Sequence, residues 1–105
     1  MNVYVDDAFI QASVPNGRRV HTSRWCHLTA DSTEELLAFA RRLGMRQSWL
    51  QRAGRPGEHF DLTAPKRRLA VRLGAVEITT REGVEQMRAQ RDGRPFDLAQ
   101  LRESR

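Results

Sequence analysis

Ala70-Val71-Arg72-Leu73-Gly74-Ala75 echoes Ala40-Arg41-Arg42-Leu43-Gly44-Met45: each is a helix end of mixed apolar and basic residues, closed by a glycine and followed by a short apolar run. A glycine after the last apolar position of a helix is the usual stop, because it takes the left-handed conformation that other residues resist. The same helix-to-strand joint is therefore expected twice. Upstream of the first joint, Ser32 to Glu35 fits a capping box, and Leu36, Phe39, Ala40 and Leu43 recur at helical spacing. Upstream of the second, Thr63 is a candidate N-cap, Pro65 is tolerated in the first turn, and Leu69, Ala70 and Leu73 form a buried stripe.

Strands are expected at Val3-Tyr4-Val5, across Arg24 to Thr29, across Met45 to Leu50 and across Ala75 to Thr79. In the second of these, Trp25, His27 and Thr29 face one way and Cys26 and Leu28 the other. Residues 8 to 23, with Pro15-Asn16-Gly17, read as a turn or mobile connection, and Arg52 to Gly57 as a flexible stretch delivering His59 and Asp61. Arg81 to Gln90 reads as a charged helix. Alternating strands and helices predict an α/β fold: a small single domain over residues 1–91, with a mostly parallel sheet of three to four strands and flanking helices. Residues 92–105 read as a polar tail with one or two helical turns.

At 105 residues there is room for one core. No apolar stretch approaches a membrane span, and Asp6-Asp7 falls where a signal peptide needs a basic region, so a soluble, cytoplasmic protein without a membrane partner is expected. Cys26 is the single cysteine, which excludes an internal disulfide and a cysteine-based zinc site. The net charge of +5 invites a nucleic-acid partner, but the arginines are dispersed and no aromatic-basic pattern accompanies them. Only weak, sequence-independent nucleic-acid binding is expected from that distribution.

In open parallel sheets ligands sit beyond the carboxyl ends of strands. The loops there carry Asp6 and Asp7, then His27 and Asp31, then His59, Asp61, Thr63 and Lys66. Each has a structural alternative: Asp31 as a helix N-cap, Asp61 as a turn brace, His27 as a satisfied strand histidine. Lys66 is the sole lysine among 18 cationic residues, and a rotatable ammonium differs from an arginine fork. Lys66-Arg67-Arg68 opens a helix where cations oppose the macrodipole, and a locally broken rule is a pointer to function. His27, Thr63, Lys66 and Arg67 are accordingly candidates to hold an anionic ligand. Asp6, His59 and Asp61 are candidates for acid/base catalysis or for a divalent metal cofactor. On this reading Lys66→Arg impairs binding, whereas Arg67→Lys does little. No phosphate loop, His-Glu-x-x-His motif or nucleophilic triad is present.

The ordered segments Val3-Tyr4-Val5-Asp6-Asp7-Ala8, Trp25-Cys26-His27-Leu28-Thr29-Ala30-Asp31, Ser48-Trp49-Leu50-Gln51 and His59-Phe60-Asp61, followed by Lys66-Arg67 and Gly74-Ala75, resemble a small bacterial and phage family. That family is catalogued only as a domain of unknown function, number 4031. The resemblance spans residues 2 to 80 and implies that these segments belong together; it carries no reaction, cofactor or partner. Phe is usual in the family where Leu50 stands. The leading expectation from the residues is a protein binding a phosphate-bearing small molecule or nucleotide, as a metal-assisted phosphoesterase or nucleotide-processing enzyme. Its rival is a noncatalytic adaptor domain for nucleic acid or protein.

Overall fold

The computed structural model of the chain describes residues 2–16 and 19–104, and of residues 10–16 and 19–23 the backbone alone. Five strands and four α-helices are placed: β1 Val3–Val5, β2 Ile10–Asn16, β3 Arg19–Ala30, α1 Thr33–Arg42, β4 Phe60–Leu62, α2 Ala64–Arg72, β5 Val76–Glu77, α3 Thr80–Arg91 and α4 Leu98–Glu103. The long strand β3 organises the sheet. Its Leu28 faces Val5 of β1 on one edge and Phe60 of β4 on the other, both antiparallel. Tyr4 and Val5 of β1 then pair with Val76 and Glu77 of β5, in parallel.

The sheet is thus mixed, which corrects the expectation of a mostly parallel one. Only the second glycine joint leads into a strand, β5; the first leads elsewhere. Met45 to Leu50 is not a strand but contains a 3-10 helix, Gln47–Trp49. Arg46-Gln47-Ser48 interrupts the apolar alternation a strand needs, and the sheet edge beside β3 is occupied by β4. Residues 8 to 23, expected as a connection, instead supply β2 and the first half of β3, an antiparallel hairpin with Asn16 opposite Arg19. The pairing of Asn16 with Arg19 leaves two residues between the strands, the loop length of the commonest hairpins. Pro15 is tolerated because β2 is an edge strand.

Strand alternation sorts the side chains onto two faces. Val5, Cys26, Leu28, Ala30, Phe60 and Leu62 are all buried on one face. Most of them join Leu36, Phe39, Ala40 and Leu43 of the α1 region and Ala70 of α2 in the core. Ser32 caps α1 through the Glu35 N–H at 3.2 Å. Gly44 and Gly74 take φ of +74° and +107° where the two helices stop, as the echo requires. The opposite face carries Tyr4, Asp6, Trp25, His27, Thr29 and Asp61. Part of it is covered by α3, whose Gln86 accepts from the Thr29 hydroxyl at 2.7 Å and donates to the Ala30 carbonyl at 3.1 Å. Phe96 meets the Tyr4 ring edge-on at 5.5 Å. Among the described residues no helix is long and apolar enough to cross a membrane.

Candidate metal centre

On the face left partly open by α3, three strands place polar groups side by side. His27 is directly opposite Asp61 in the β3–β4 ladder. Asp6 follows β1, and its backbone N–H donates to the His27 carbonyl at 3.2 Å, continuing the ladder. Its Oδ1 accepts the His27 backbone N–H at 2.8 Å and its Oδ2 lies 2.7 Å from His27 Nδ1. His59, one residue ahead of β4, stands edge-on to His27 with ring centroids 4.9 Å apart and planes at 87°.

The ligating atoms of His27, His59 and Asp61 lie within 4.8 Å of one another, and all three residues are half-buried. His59 Nε2 is 3.5 Å from Asp61 Oδ1. With metal–nitrogen and metal–oxygen distances of about 2.1 Å, two ligand atoms on one tetrahedral ion stand about 3.4 Å apart. That pair is already at ligand spacing. The two groups also have outer partners. His59 Nδ1 is 2.8 Å from the Gly57 carbonyl, which accepts its proton and leaves Nε2 as the lone-pair nitrogen. Gln51 Nε2 donates to Asp61 Oδ2, the oxygen turned from His59. Gly57 itself is fixed by its N–H to Gln90 Oε1 of α3 at 3.0 Å.

Electrostatics follow the contacts. Burial raises the Asp6 carboxyl, but the His27 ring and backbone N–H outweigh it, and the net shift is downward. The bond to Asp6 raises His27 above the ordinary histidine value, against burial, which lowers it. Cys26, behind this group on the apolar face, is pushed up by burial, which leaves it a poor nucleophile.

The structure brings His27, His59, Asp61 and Asp6 together, with Asp6 behind His27 and outside the ligand triad. It places Lys66 elsewhere: the ammonium donates to the Leu43 carbonyl at 2.6 Å, closing the end of α1 in the helical layer on the other face. Arg67 donates from Nε to the Asp6 carbonyl at 2.8 Å and from a terminal nitrogen to Glu77 at 3.0 Å, with its guanidinium 5.6 Å from the Phe9 ring centroid. Thr63 is the N-cap residue of α2, and its hydroxyl makes no capping bond. Asp7 accepts from the Thr80 N–H and hydroxyl at the start of α3. Asp31 is not the cap of α1; it accepts from the Asn2 N–H and the Tyr4 hydroxyl. Gln51 and the Gly57 carbonyl are the contributors that sequence reasoning missed. Gln51 carries no chemical signal in the sequence, and a backbone carbonyl carries none.

Fold and site together define a small mixed α/β domain with a two-histidine, one-carboxylate cluster on the open face of its sheet. The chain belongs to the family described as protein of unknown function, DUF4031, whose model matches residues 3–90 and so includes every member of the cluster. No curated protein and no solved structure matches it.

Proposed function

We propose that this protein is a cytoplasmic metal-dependent hydrolase of phosphate esters, holding one divalent transition-metal ion on His27 Nε2, His59 Nε2 and Asp61 Oδ1. The convergence of one ligand atom from each of His27, His59 and Asp61 within 4.8 Å carries the reading, with His27 Nε2 taken as the ring nitrogen that Asp6 leaves open. Two imidazoles and one carboxylate suit zinc, manganese or iron better than calcium or magnesium, which prefer all-oxygen shells. Three protein ligands leave a coordination position open, and an ion there supplies a water of lowered pKa and a Lewis acid for a phosphoryl oxygen.

The remaining roles belong to the chain. Gln51 fixes which Asp61 oxygen is offered, and Gly57 fixes the His59 tautomer. The Thr63 hydroxyl, which makes no capping bond, follows Asp61 by two residues, at the start of α2, where it can donate to a phosphoryl oxygen. The net charge of +5 favours the approach of an anionic substrate. Lys66 and Arg67 take no direct part, since both are engaged in structural bonds.

The test is a hydrolysis screen. Protein stripped with chelator and reloaded with zinc, manganese or iron is assayed against phosphomonoesters, phosphodiesters and nucleotides. Turnover that requires the ion and disappears in His59→Ala supports the assignment. Metal-independent turnover counts against the metal assignment, and no turnover with any reloaded ion counts against catalysis and favours the adaptor reading.

A further inference from the structure

Building on the metal-binding reading above, we propose that Asp6 is a positioning residue, which makes His27 a metal ligand by dictating where its single ring proton resides. A neutral imidazole has one N–H, and only the other nitrogen can coordinate. For Nε2 to face the ion, the proton must be on Nδ1. Asp6 Oδ2 stands 2.7 Å from that atom, and an ionised carboxylate can only accept.

Asp6 has no freedom to do otherwise. Its Oδ1 accepts two backbone donors, the His27 N–H at 2.8 Å and the Ala8 N–H at 3.3 Å. Its own carbonyl is held by Arg67 Nε at 2.8 Å. The residue is 7% exposed. The carboxylate is therefore clamped through one oxygen so that the other addresses His27. His59 obtains the same proton placement from a different source, the Gly57 carbonyl.

This arrangement makes Asp6→Asn a sharp probe. The two backbone N–H groups still demand an acceptor, so the asparagine oxygen takes the Oδ1 place and its NH2 faces His27 Nδ1. Nδ1 must then accept, and the ring proton moves to Nε2, the atom needed by the metal. Size and both backbone bonds are kept, so the β1–β3 pairing survives. His59 is untouched and serves as an internal control.

The experiment has two arms. In metal-free protein at alkaline pH, 15N NMR of the imidazoles reports the tautomers. Wild type is expected to show Nδ1–H for both rings, and Asp6→Asn to switch His27 alone. Cobalt(II) is then titrated and followed by its visible ligand-field bands; loss of the outer partner is expected to weaken binding about 10- to 100-fold. Wild-type His27 found as Nε2–H overturns the proposal whether or not the variant folds. Cobalt affinity unchanged by Asp6→Asn overturns the role of Asp6 and leaves the metal site standing. Wild type that takes up no cobalt overturns the metal reading instead.

Discussion

Asp6 and His27 form a two-point contact across β1 and β3, one carboxylate oxygen on the ring at 2.7 Å and the other on the backbone N–H at 2.8 Å. In metal-free protein the contact makes stability depend on pH in both directions. Asp6 is held below its ordinary 3.8, so its contribution is complete above 3.8 and is lost as pH falls through the depressed folded value. His27 is held above its ordinary 6.5, so its contribution is complete below 6.5 and is lost as pH rises through the raised folded value. The melting-temperature gap between wild type and Asp6→Asn should therefore be widest between those two ordinary values and narrow on either side. A gap that stays constant from pH 3 to 9 would contradict the pairing.

The two adjacent cations of α2 should behave opposite to the expectation from sequence. Lys66 closes the end of α1, so Lys66→Ala should cost about 1 kcal/mol of stability and leave metal affinity unchanged. Arg67 bonds the Asp6 carbonyl and Glu77 through separate nitrogens, a geometry lysine cannot reproduce. Arg67→Lys should cost about 2 kcal/mol. Urea denaturation of both variants, with cobalt titration of Lys66→Ala, checks the contrast. Equal stability of Arg67→Lys and wild type would sink it.

A parallel sheet would bring Asp6, His27 and Asp61 together at the carboxyl ends of its strands. They meet instead as cross-strand neighbours on one face, with β3 antiparallel to β1 and β4. Alternation within residues 24–29 puts His27 opposite in sense to Cys26 and Leu28, which suffices to place it on the polar face. Three-residue β4 is too short to show any period, and Pro15-Asn16-Gly17 reads as a turn although Pro15 and Asn16 end a strand that pairs back with β3. Lys66 and Arg67 are consecutive helical residues, so they point in different directions, and a sequence gives no sign of which one faces the strands. The hydrogen bonds from Gln51 and to Gly57 depend on the exact path of a loop, for which no pattern rule exists.

Gly57 offers a test of the loop. Its φ is +83° and a Cβ there would stand 3.0 Å from Met87 Sδ, whereas Gly54, at φ +71°, has open space around it. Substitution by alanine should cost each position about 1–2 kcal/mol for the left-handed conformation. Only Gly57→Ala should also weaken metal binding, because its carbonyl orients His59. Parallel thermal melts and cobalt titrations of the two variants decide it; equal metal affinity in both would show that the Gly57 carbonyl has no such role.

The most direct measurement is isothermal titration of zinc into metal-free wild type and into His27→Ala, His59→Ala and Asp61→Ala. The account predicts one ion per chain in wild type and, in each variant, a loss of more than about 100-fold, exceeding what an outer partner contributes. Wild type that binds no zinc, or zinc binding that survives all three substitutions, would contradict it.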